Sequence, residues 1–333
     1  MKYYILLILF ICSTFQLYED TSADFKLQNW MSQLPDDQKV LLINIPGVHD
    51  TAANEMVPLA QSVARTQNLT IPELLNIGYR KLDIRVNIRE LADDEDDPDL
   101  NLGTSHGIFD CYYIDEFNIT RNLTFKHILL DIKSFLEKNP TETVIVWTQS
   151  EKGDGYENIK RAVELYDKLV GDIFVKYNKN LTLGDVRGKI ISTIYKTDSV
   201  DSQGRIIYHS GLDGCTDLEE THRKFIDKYY ESYKVTGELK VEEVKDFLIN
   251  YDFTIKTAEE EFEKNINKYP ISYSVACTGE HQSILPFPKI QADIVNPFLL
   301  QYSFKKGNYY GWIDVDYGTR GIAGKLIETN FLD

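Results

Sequence analysis

The sequence predicts an α/β fold, and two observations support that prediction. Short apolar runs rich in β-branched residues recur along the chain, and amphipathic stretches with helical spacing separate them. This alternation is typical of a βα barrel or an open parallel sheet. Because the first gap between strands is long and residues 201–267 are irregular, a regular barrel of eight repeats is not expected. The strand candidates are Val40–Ile45, Arg80–Val86, Leu100–Ser105, Thr143–Gln149, Lys189–Tyr195, Ile271–Cys277 and Tyr309–Asp316.

The clearest helical prediction covers Phe125–Lys138. Apolar side chains recur there at intervals of three and four residues, which places them on one helix face, and Thr124 has the chemistry of an N-cap. A shorter helix is expected before the second strand, because Thr70 and Glu73 have the spacing of a capping box. This helix is expected to end at Gly78.

The N-terminal residues 1–16, MKYYILLILFICSTFQ, have the pattern of a secretory signal. One lysine precedes an apolar run of about ten residues, which is too short to span a bilayer. The protein is therefore expected to be secreted and extracellular. Residues 17–333 contain no Pro/Gly/Ser-rich linker and no internal repeat, which predicts a single domain.

Glycosylation sequons and cysteine usage fit an exported glycoprotein. The sequons begin at Asn68, Asn118, Asn122 and Asn180. The cysteines outside the leader are Cys111, Cys215 and Cys277, without the spacing of a metal site. One disulfide and one buried thiol is the simplest arrangement, and the sequence does not select the pair.

The strongly acidic composition limits the possible partners. The formal net charge is −16 and the pI about 4.9, so nucleic acid is not an expected partner and long-range attraction to an anionic membrane is weak. An anionic substrate would need a local cation. The acidic run at residues 91–101 lacks the glycine of a calcium loop, and we interpret it as a solvated loop.

Polar side chains of the types that take part in catalysis lie at the ends of several strand candidates. Because the carboxyl ends of barrel strands meet at one mouth, we expect these groups to converge. Each is common singly in a structural role, as a capped-turn histidine or a rim ion pair, and only their conjunction indicates a site. The candidates are His49, Asp50, Asp83, Arg85, His106, Asp314 and Asp316.

Two imidazoles, an arginine and carboxylates suit the cleavage of a phosphodiester by an internal hydroxyl. One imidazole removes the proton of the attacking hydroxyl and the other protonates the leaving oxygen, each transfer contributing about 10²–10⁴-fold in rate. A carboxylate beside each imidazole fixes its tautomer. The arginine stabilises negative charge on the non-bridging oxygens and supplies the local cation that the acidic chain needs.

Several blocks of the sequence resemble a known family. NIPGVHDT, YRKLDIRV, SHGI, DIKSFLEKNPTETVIV, LGDVRGKI and GWIDVDY are similar to successive blocks of the X-domain phosphatidylinositol-specific phospholipases C. The likeness is to the single-domain type, which comprises bacterial secreted enzymes and X-domain-only eukaryotic proteins. It extends from about Leu41 to Asn330 and implies that residues 17–333 form one distorted TIM barrel with catalytic activity.

The resemblance also implies a catalytic role for each histidine. His49 would be the general base on the inositol 2-hydroxyl, oriented by Asp316. His106 would be the general acid for the diacylglycerol oxygen, assisted by Asp50. The products would be a cyclic inositol phosphate and diacylglycerol.

The same resemblance bears on the phosphate, the metal and the headgroup. Arg85 would neutralise the phosphate, with Asp83 beside the acid–base pair. Calcium-dependent relatives have a carboxylate ligand where this chain has Arg85, so we expect action without calcium, metal or other cofactor. Gln149 stands where bacterial enzymes usually carry a lysine, and Tyr195 where an arginine grips the inositol phosphate. Both are candidate substrate-binding residues, and the headgroup contacts differ from those of the bacterial enzymes.

The expected partner is phosphatidylinositol or a glycosyl-inositol phospholipid, reached by peripheral contact of a monomer with a membrane surface. One alternative is a metal-dependent phosphodiesterase on a similar barrel, acting on glycerophosphodiesters or sphingomyelin. A second is a catalytically silent protein that binds a lipid or sugar headgroup. The sequence does not distinguish free lipid, lysolipid and glycolipid anchor as substrates.

Overall fold

A computed structural model of the chain describes residues 26–88, 102–150, 166, 170–171, 173–175, 181–194, 254–257, 272–274 and 288–332. The predicted signal segment 1–16, Tyr195, Cys215 and Cys277 lie outside these residues, as does most of the irregular stretch 201–267. The single domain predicted for residues 17–333 therefore stays a prediction, and so does the arrangement of one disulfide and one buried thiol. Cys111 is buried in the hydrophobic core.

Strands and helices alternate over much of the described chain, as the sequence predicts. The strands are β1 (Ile45–Val48), β2 (Lys81–Ile88), β3 (Leu102–His106), β4 (Phe109–Asp110), β5 (Tyr112–Ile114), β6 (Thr120–Asn122), β7 (Val144–Ser150), β8 (Phe174–Val175), β9 (Ile190–Ile194), β10 (Ser272–Ser274) and β11 (Trp312–Val315). The α-helices are α1 (Pro58–Ala64), α2 (Ile71–Asn76), α3 (Phe125–Lys138), α4 (Leu183–Val186), α5 (Pro288–Gln301) and α6 (Arg320–Glu328). Short 3₁₀ helices cover Leu27–Gln33 and Val40–Leu42.

The central sheet is mostly parallel. Its strand order is β10-β11-β1-β2-β7-β9-β8, and every neighbouring pair in that order is parallel. Side chains alternate between the two faces of each strand, so Leu82 and Ile84 lie on one face of β2 and Lys81, Asp83 and Arg85 on the other. All five are buried. A buried polar face of this kind is suited to a site enclosed by the sheet.

The helical predictions are confirmed at both places. α3 covers Phe125–Lys138, and its N-cap Thr124 accepts a hydrogen bond from the backbone N–H of His127. The apolar face of α3 is buried, and the helix packs against α2 and β3. At the start of α2, Thr70 and Glu73 form the predicted capping box.

The predicted first strand, Val40–Ile45, is wrong over most of its length. Residues 40–42 form a 3₁₀ turn, and β1 begins at Ile45. Asn44 explains the boundary, because its side-chain oxygen accepts hydrogen bonds from the backbone N–H groups of Tyr310 and Gly311. That cross-link fixes the chain beside β11 only from residue 44 onward. A short buried apolar run does not by itself distinguish a strand from a buried turn.

The third strand also differs from the prediction, because it is antiparallel to its neighbour. β3 pairs with β2 in the register Val86 to Thr104, whereas a parallel strand was expected. A parallel connection needs a crossover, usually helical, and the acidic sequence between these strands carries no helical pattern. Because β3 runs in the direction opposite to β2, it brings His106 back alongside β2.

No helix in the described part of the chain combines the length and apolar character needed to cross a membrane.

Candidate active site

Parallel register brings three of the predicted side chains into one layer at the carboxyl ends of the strands. Val48 of β1 pairs with Val315 of β11 and with Leu82 of β2. One residue further along, His49, Asp316 and Asp83 therefore face the same interior space. The backbone N–H of His49 donates to the carbonyl of Val315, which continues the strand pairing into this layer.

His49 is buried and held from both sides of its ring. Its Nδ1 lies 2.7 Å from Asp316 Oδ1, and its Nε2 lies 2.6 Å from Arg85 Nη2. Because a guanidinium only donates, Nε2 must accept in the neutral ring, and Nδ1 carries the hydrogen that goes to Asp316. This tautomer gives Nε2 the lone pair of a general base. Asp83 Oδ2 lies 3.9 Å from Nε2.

His106 faces His49 across the site. The two ring centroids are 6.1 Å apart and the rings are nearly perpendicular, at 88°. His106 Nδ1 donates to the carbonyl of Ala64 at 2.6 Å, and Asp50 Oδ2 lies further away at 3.6 Å. A backbone carbonyl therefore fixes the orientation of this ring, and the carboxylate of Asp50 contributes charge at close range.

Arg85 lies among the carboxylates, and its single positive charge offsets part of their negative charge. Its Nε is 3.5 Å from Asp83 Oδ2 and 3.6 Å from Asp50 Oδ2. When the side-chain oxygen of Gln149 faces Arg85, it accepts hydrogen bonds from Arg85 Nε at 2.6 Å and from Arg85 Nη2 at 3.2 Å. Gln149, predicted as a substrate-binding residue, thus lies in the site, where it accepts hydrogen bonds from the Arg85 guanidinium.

Asp50 adopts a backbone conformation that few residues other than glycine tolerate, with φ at 37°. Its N–H donates to Asp83 Oδ2 at 3.1 Å, and its carbonyl accepts from Thr66 Oγ1 at 2.7 Å. These bonds hold a sharp turn after β1. The turn lets consecutive residues His49 and Asp50 both contribute to the site.

Sequence reasoning missed two supporting groups. Gln67 donates to the carbonyls of His49 and Val315 at 2.8 and 3.0 Å, and no sequence pattern marks this loop residue. Lys81 lies directly below Asp83 on the same face of β2, and strand alternation in RKLDIRV carries that signal. Asp314, singled out in the sequence together with Asp316, pairs with Lys81.

Across the described segments, no three or more His, Cys, Asp or Glu side chains form a group that could hold a metal ion.

Curated proteins similar in sequence to this chain are phosphodiesterases of two bacteria. No protein-family model matches the chain. A 1-phosphatidylinositol phosphodiesterase of Listeria monocytogenes is 32% identical over 173 residues, covering 49% of this chain and 47% of that protein. One from Staphylococcus aureus is 25% identical over 326 residues, covering 91% and 94%. The first match thus spans about half of its relative, and the second nearly all of it.

Solved structures agree in fold. A phosphatidylinositol-specific phospholipase C of Staphylococcus aureus superposes with a TM-score of 0.67 at 20% identity, covering 92% of this chain and 98% of that one. The Listeria monocytogenes enzyme gives a TM-score of 0.60 at 19% identity, covering 92% and 100%. The distorted TIM barrel expected from the sequence is confirmed.

The chain thus has the fold of these phospholipase C structures, and two histidines face each other in its candidate site. The chain is similar in sequence to the 1-phosphatidylinositol phosphodiesterases of both bacteria.

Proposed function

We propose that this protein is a secreted phosphatidylinositol-specific phospholipase C, which cleaves the bond between inositol phosphate and diacylglycerol. One observation carries the proposal: His49 and His106 face each other at 6.1 Å between ring centroids, with Arg85 in contact with His49. That spacing accommodates a phosphate between a base and an acid. The names of the curated relatives support the phosphodiesterase class.

In the first step, the inositol 2-hydroxyl attacks phosphorus while His49 Nε2 takes the hydroxyl proton. The imidazolium that forms is stabilised by Asp316, whose Oδ1 lies 2.7 Å from Nδ1. For the hydroxyl to reach Nε2, Arg85 must transfer its hydrogen bond from the imidazole to the substrate. The guanidinium then donates to the non-bridging phosphate oxygens, where negative charge develops.

In the same displacement, the bond from phosphorus to the diacylglycerol oxygen breaks. His106, protonated beforehand, gives its Nε2 proton to that oxygen, while Ala64 and Asp50 hold and stabilise the Nδ1 side of the ring. The products are diacylglycerol and a cyclic inositol phosphate, and one proton has moved from substrate to His49 and one from His106 to product. Because the nucleophile belongs to the substrate, attack is intramolecular.

Membrane contact in this proposal involves the rim that carries both histidines. Val57 and Leu59, beside and within α1, are 44% and 76% exposed, and Ile108, two residues beyond His106, is 81% exposed. Burying apolar side chains of this size in lipid contributes about 1.5–3 kcal/mol each. Such contacts compensate for the weak electrostatic attraction that an acidic chain has for an anionic surface.

The catalytic scheme assigns no step to a metal or other cofactor, because Arg85 supplies the positive charge at the phosphate. The curated names favour this function over a metal-dependent glycerophosphodiesterase or sphingomyelinase-like enzyme and over a silent headgroup-binding protein. Glycosyl-inositol phospholipids share the same reacting bond and belong to the proposed substrate class. Tyr195 remains a proposed headgroup contact.

Export, glycosylation and a monomeric state complete the proposal. The apolar leader supports export, and the sequon residues Asn68, Asn118 and Asn122 are all exposed. One domain over residues 17–333 contains the whole proposed site.

The test is release of cyclic inositol phosphate from phosphatidylinositol vesicles, followed by ³¹P NMR in the presence of EDTA. His49→Ala and His106→Ala are each expected to lower kcat/KM by about 10²–10⁴-fold. His127→Gln is the matched control, because His127 hydrogen-bonds Tyr113 and Thr124 at the start of α3 and lies outside the proposed site. Near-normal turnover in either alanine variant, or loss of activity in EDTA, would contradict the mechanism.

A further inference from the structure

A second ionic layer lies directly beneath the layer of the catalytic histidine. Lys81 and Asp314 are buried and their Nζ and Oδ2 atoms form an ion pair. Register places both beside Gly47, two residues before the layer that holds His49, along each of the three strands. The Lys81 ammonium also lies over the Trp147 ring, 4.1 Å from its centroid.

Gly47 shows that the barrel accommodates this pair. A Cβ at position 47 would overlap Asp314 Oδ1 and approach Lys81 Cβ at 3.2 Å. Only a residue without a side chain leaves room for the carboxylate at this place. Gly47, which lies in β1 two residues before His49, therefore makes space for the ion pair.

The charges that face His49 come from every strand around it. Asp316 lies on one side, Asp83 and Arg85 on another, Asp50 is its chain neighbour, and His106 stands opposite. In the layer below, Lys81 and Asp314 add one positive and one negative charge. As a pair they leave the net charge near His49 unchanged.

We propose that Lys81 and Asp314 are positioning residues that keep the charge beneath His49 balanced and so set the pH at which His49 acts as a base. The inference rests on the proposed function, since it assigns the base role to His49. Two residues along a strand span about 7 Å. At an effective dielectric constant of about 20, an unbalanced unit charge at that distance moves the protonation midpoint of an imidazole by roughly one to two pH units.

The test compares the two single variants with the double variant. Lys81→Met leaves the negative charge of Asp314, which favours the imidazolium, so the acid limb of kcat/KM is expected to move up by one to two pH units. Asp314→Asn leaves the positive charge and is expected to move the limb down by a similar amount. In Lys81→Met/Asp314→Asn both charges are gone, and the limb returns close to that of the wild type. KM is expected to change little, because neither residue reaches the substrate.

A buried ion pair formed by residues just before β2 and β7 provides the matched control. Arg80 Nη2 lies 2.9 Å from Glu142 Oε2, and both side chains are fully buried. Glu142→Gln is expected to lower thermal stability without moving the acid limb. If Lys81→Met and Asp314→Asn behave in the same way, losing stability with no opposite shifts, the pair is structural and the inference is wrong.

Titration of the His49 imidazole by ¹⁵N NMR, in the protein without substrate, separates this inference from the proposed function. Opposite shifts of the His49 midpoint in the two single variants support the charge-balancing role even where phosphatidylinositol is not cleaved. Absence of those shifts overturns it even where cleavage is normal. Asp314→Asn changes few atoms, so its titration tests the inference even where Lys81→Met does not fold.

Discussion

Replacing Asp316 with asparagine tests the support given to the catalytic base. Asp316 is fully buried, and its Oδ1 lies 2.7 Å from His49 Nδ1. When His49 takes the substrate proton, its positive charge spreads over the ring at about 4 Å from the carboxylate charge. At an effective dielectric constant of about 20, that separation corresponds to about 4 kcal/mol, or roughly a thousandfold in rate. The amide also favours the wrong tautomer, so the prediction for Asp316→Asn is a loss of about 10³–10⁴-fold in kcat.

The assay for this prediction is initial release of cyclic inositol phosphate at saturating phosphatidylinositol, with KM measured in the same series. KM is expected to stay within about threefold, because Asp316 contacts the imidazole and not the substrate. Asp185→Asn, which changes an exposed aspartate at the start of α4, is the control and should retain full activity. A kcat for Asp316→Asn above one tenth of the wild-type value would refute the reasoning.

The remaining predictions concern stability, the guanidinium and the rim. Burial raises the pKa of Asp131 to about 6, so the folded state binds its proton more tightly than the unfolded state, and stability falls as pH rises from about 4 to 6. Asp131→Asn is expected to remove this pH dependence and to raise the free energy of unfolding at pH 7.5 by about 1–3 kcal/mol, measured by urea denaturation. The same pH dependence in the wild type and the variant would contradict this prediction. Gln149→Leu removes two hydrogen bonds from Arg85 and is expected to lower kcat/KM by about 10- to 100-fold, whereas an unchanged value would show that the amide does not hold the guanidinium. Leu59→Asp and Ile108→Asp are expected to weaken sedimentation with phosphatidylinositol vesicles while turnover of a short-chain monomeric substrate persists; loss of both would indicate a folding defect.

The parts of the site that follow from local alternation could be predicted from the sequence. Asp83 and Arg85 lie on one face of β2, as period-two alternation requires, and the structure brings both to His49. Helix α3 has its predicted bounds, because its apolar spacing and N-cap agree. In each case the signal lies within a few neighbouring residues.

The parts that depend on distant backbone groups could not be predicted. The start of β1 is set by Asn44 and the chain beyond Tyr310, which are far apart in sequence. Ala64 holds His106 through a carbonyl, which every residue has and no motif marks. The direction of β3 depends on how the chain returns after β2, and the pattern of apolar residues does not indicate the direction of a strand.

The hydrogen bond from His106 to Ala64 makes the two histidines unequal in their mechanical support. His49 is anchored within the sheet, through β1, β11 and the side chain of Gln67. His106 is anchored to the last residue of α1, a surface helix that also carries Leu59. A shift of that helix against the barrel therefore displaces the acid and leaves the base in place, so the geometry of proton delivery follows the position of an exposed, lipid-facing element in the proposed function.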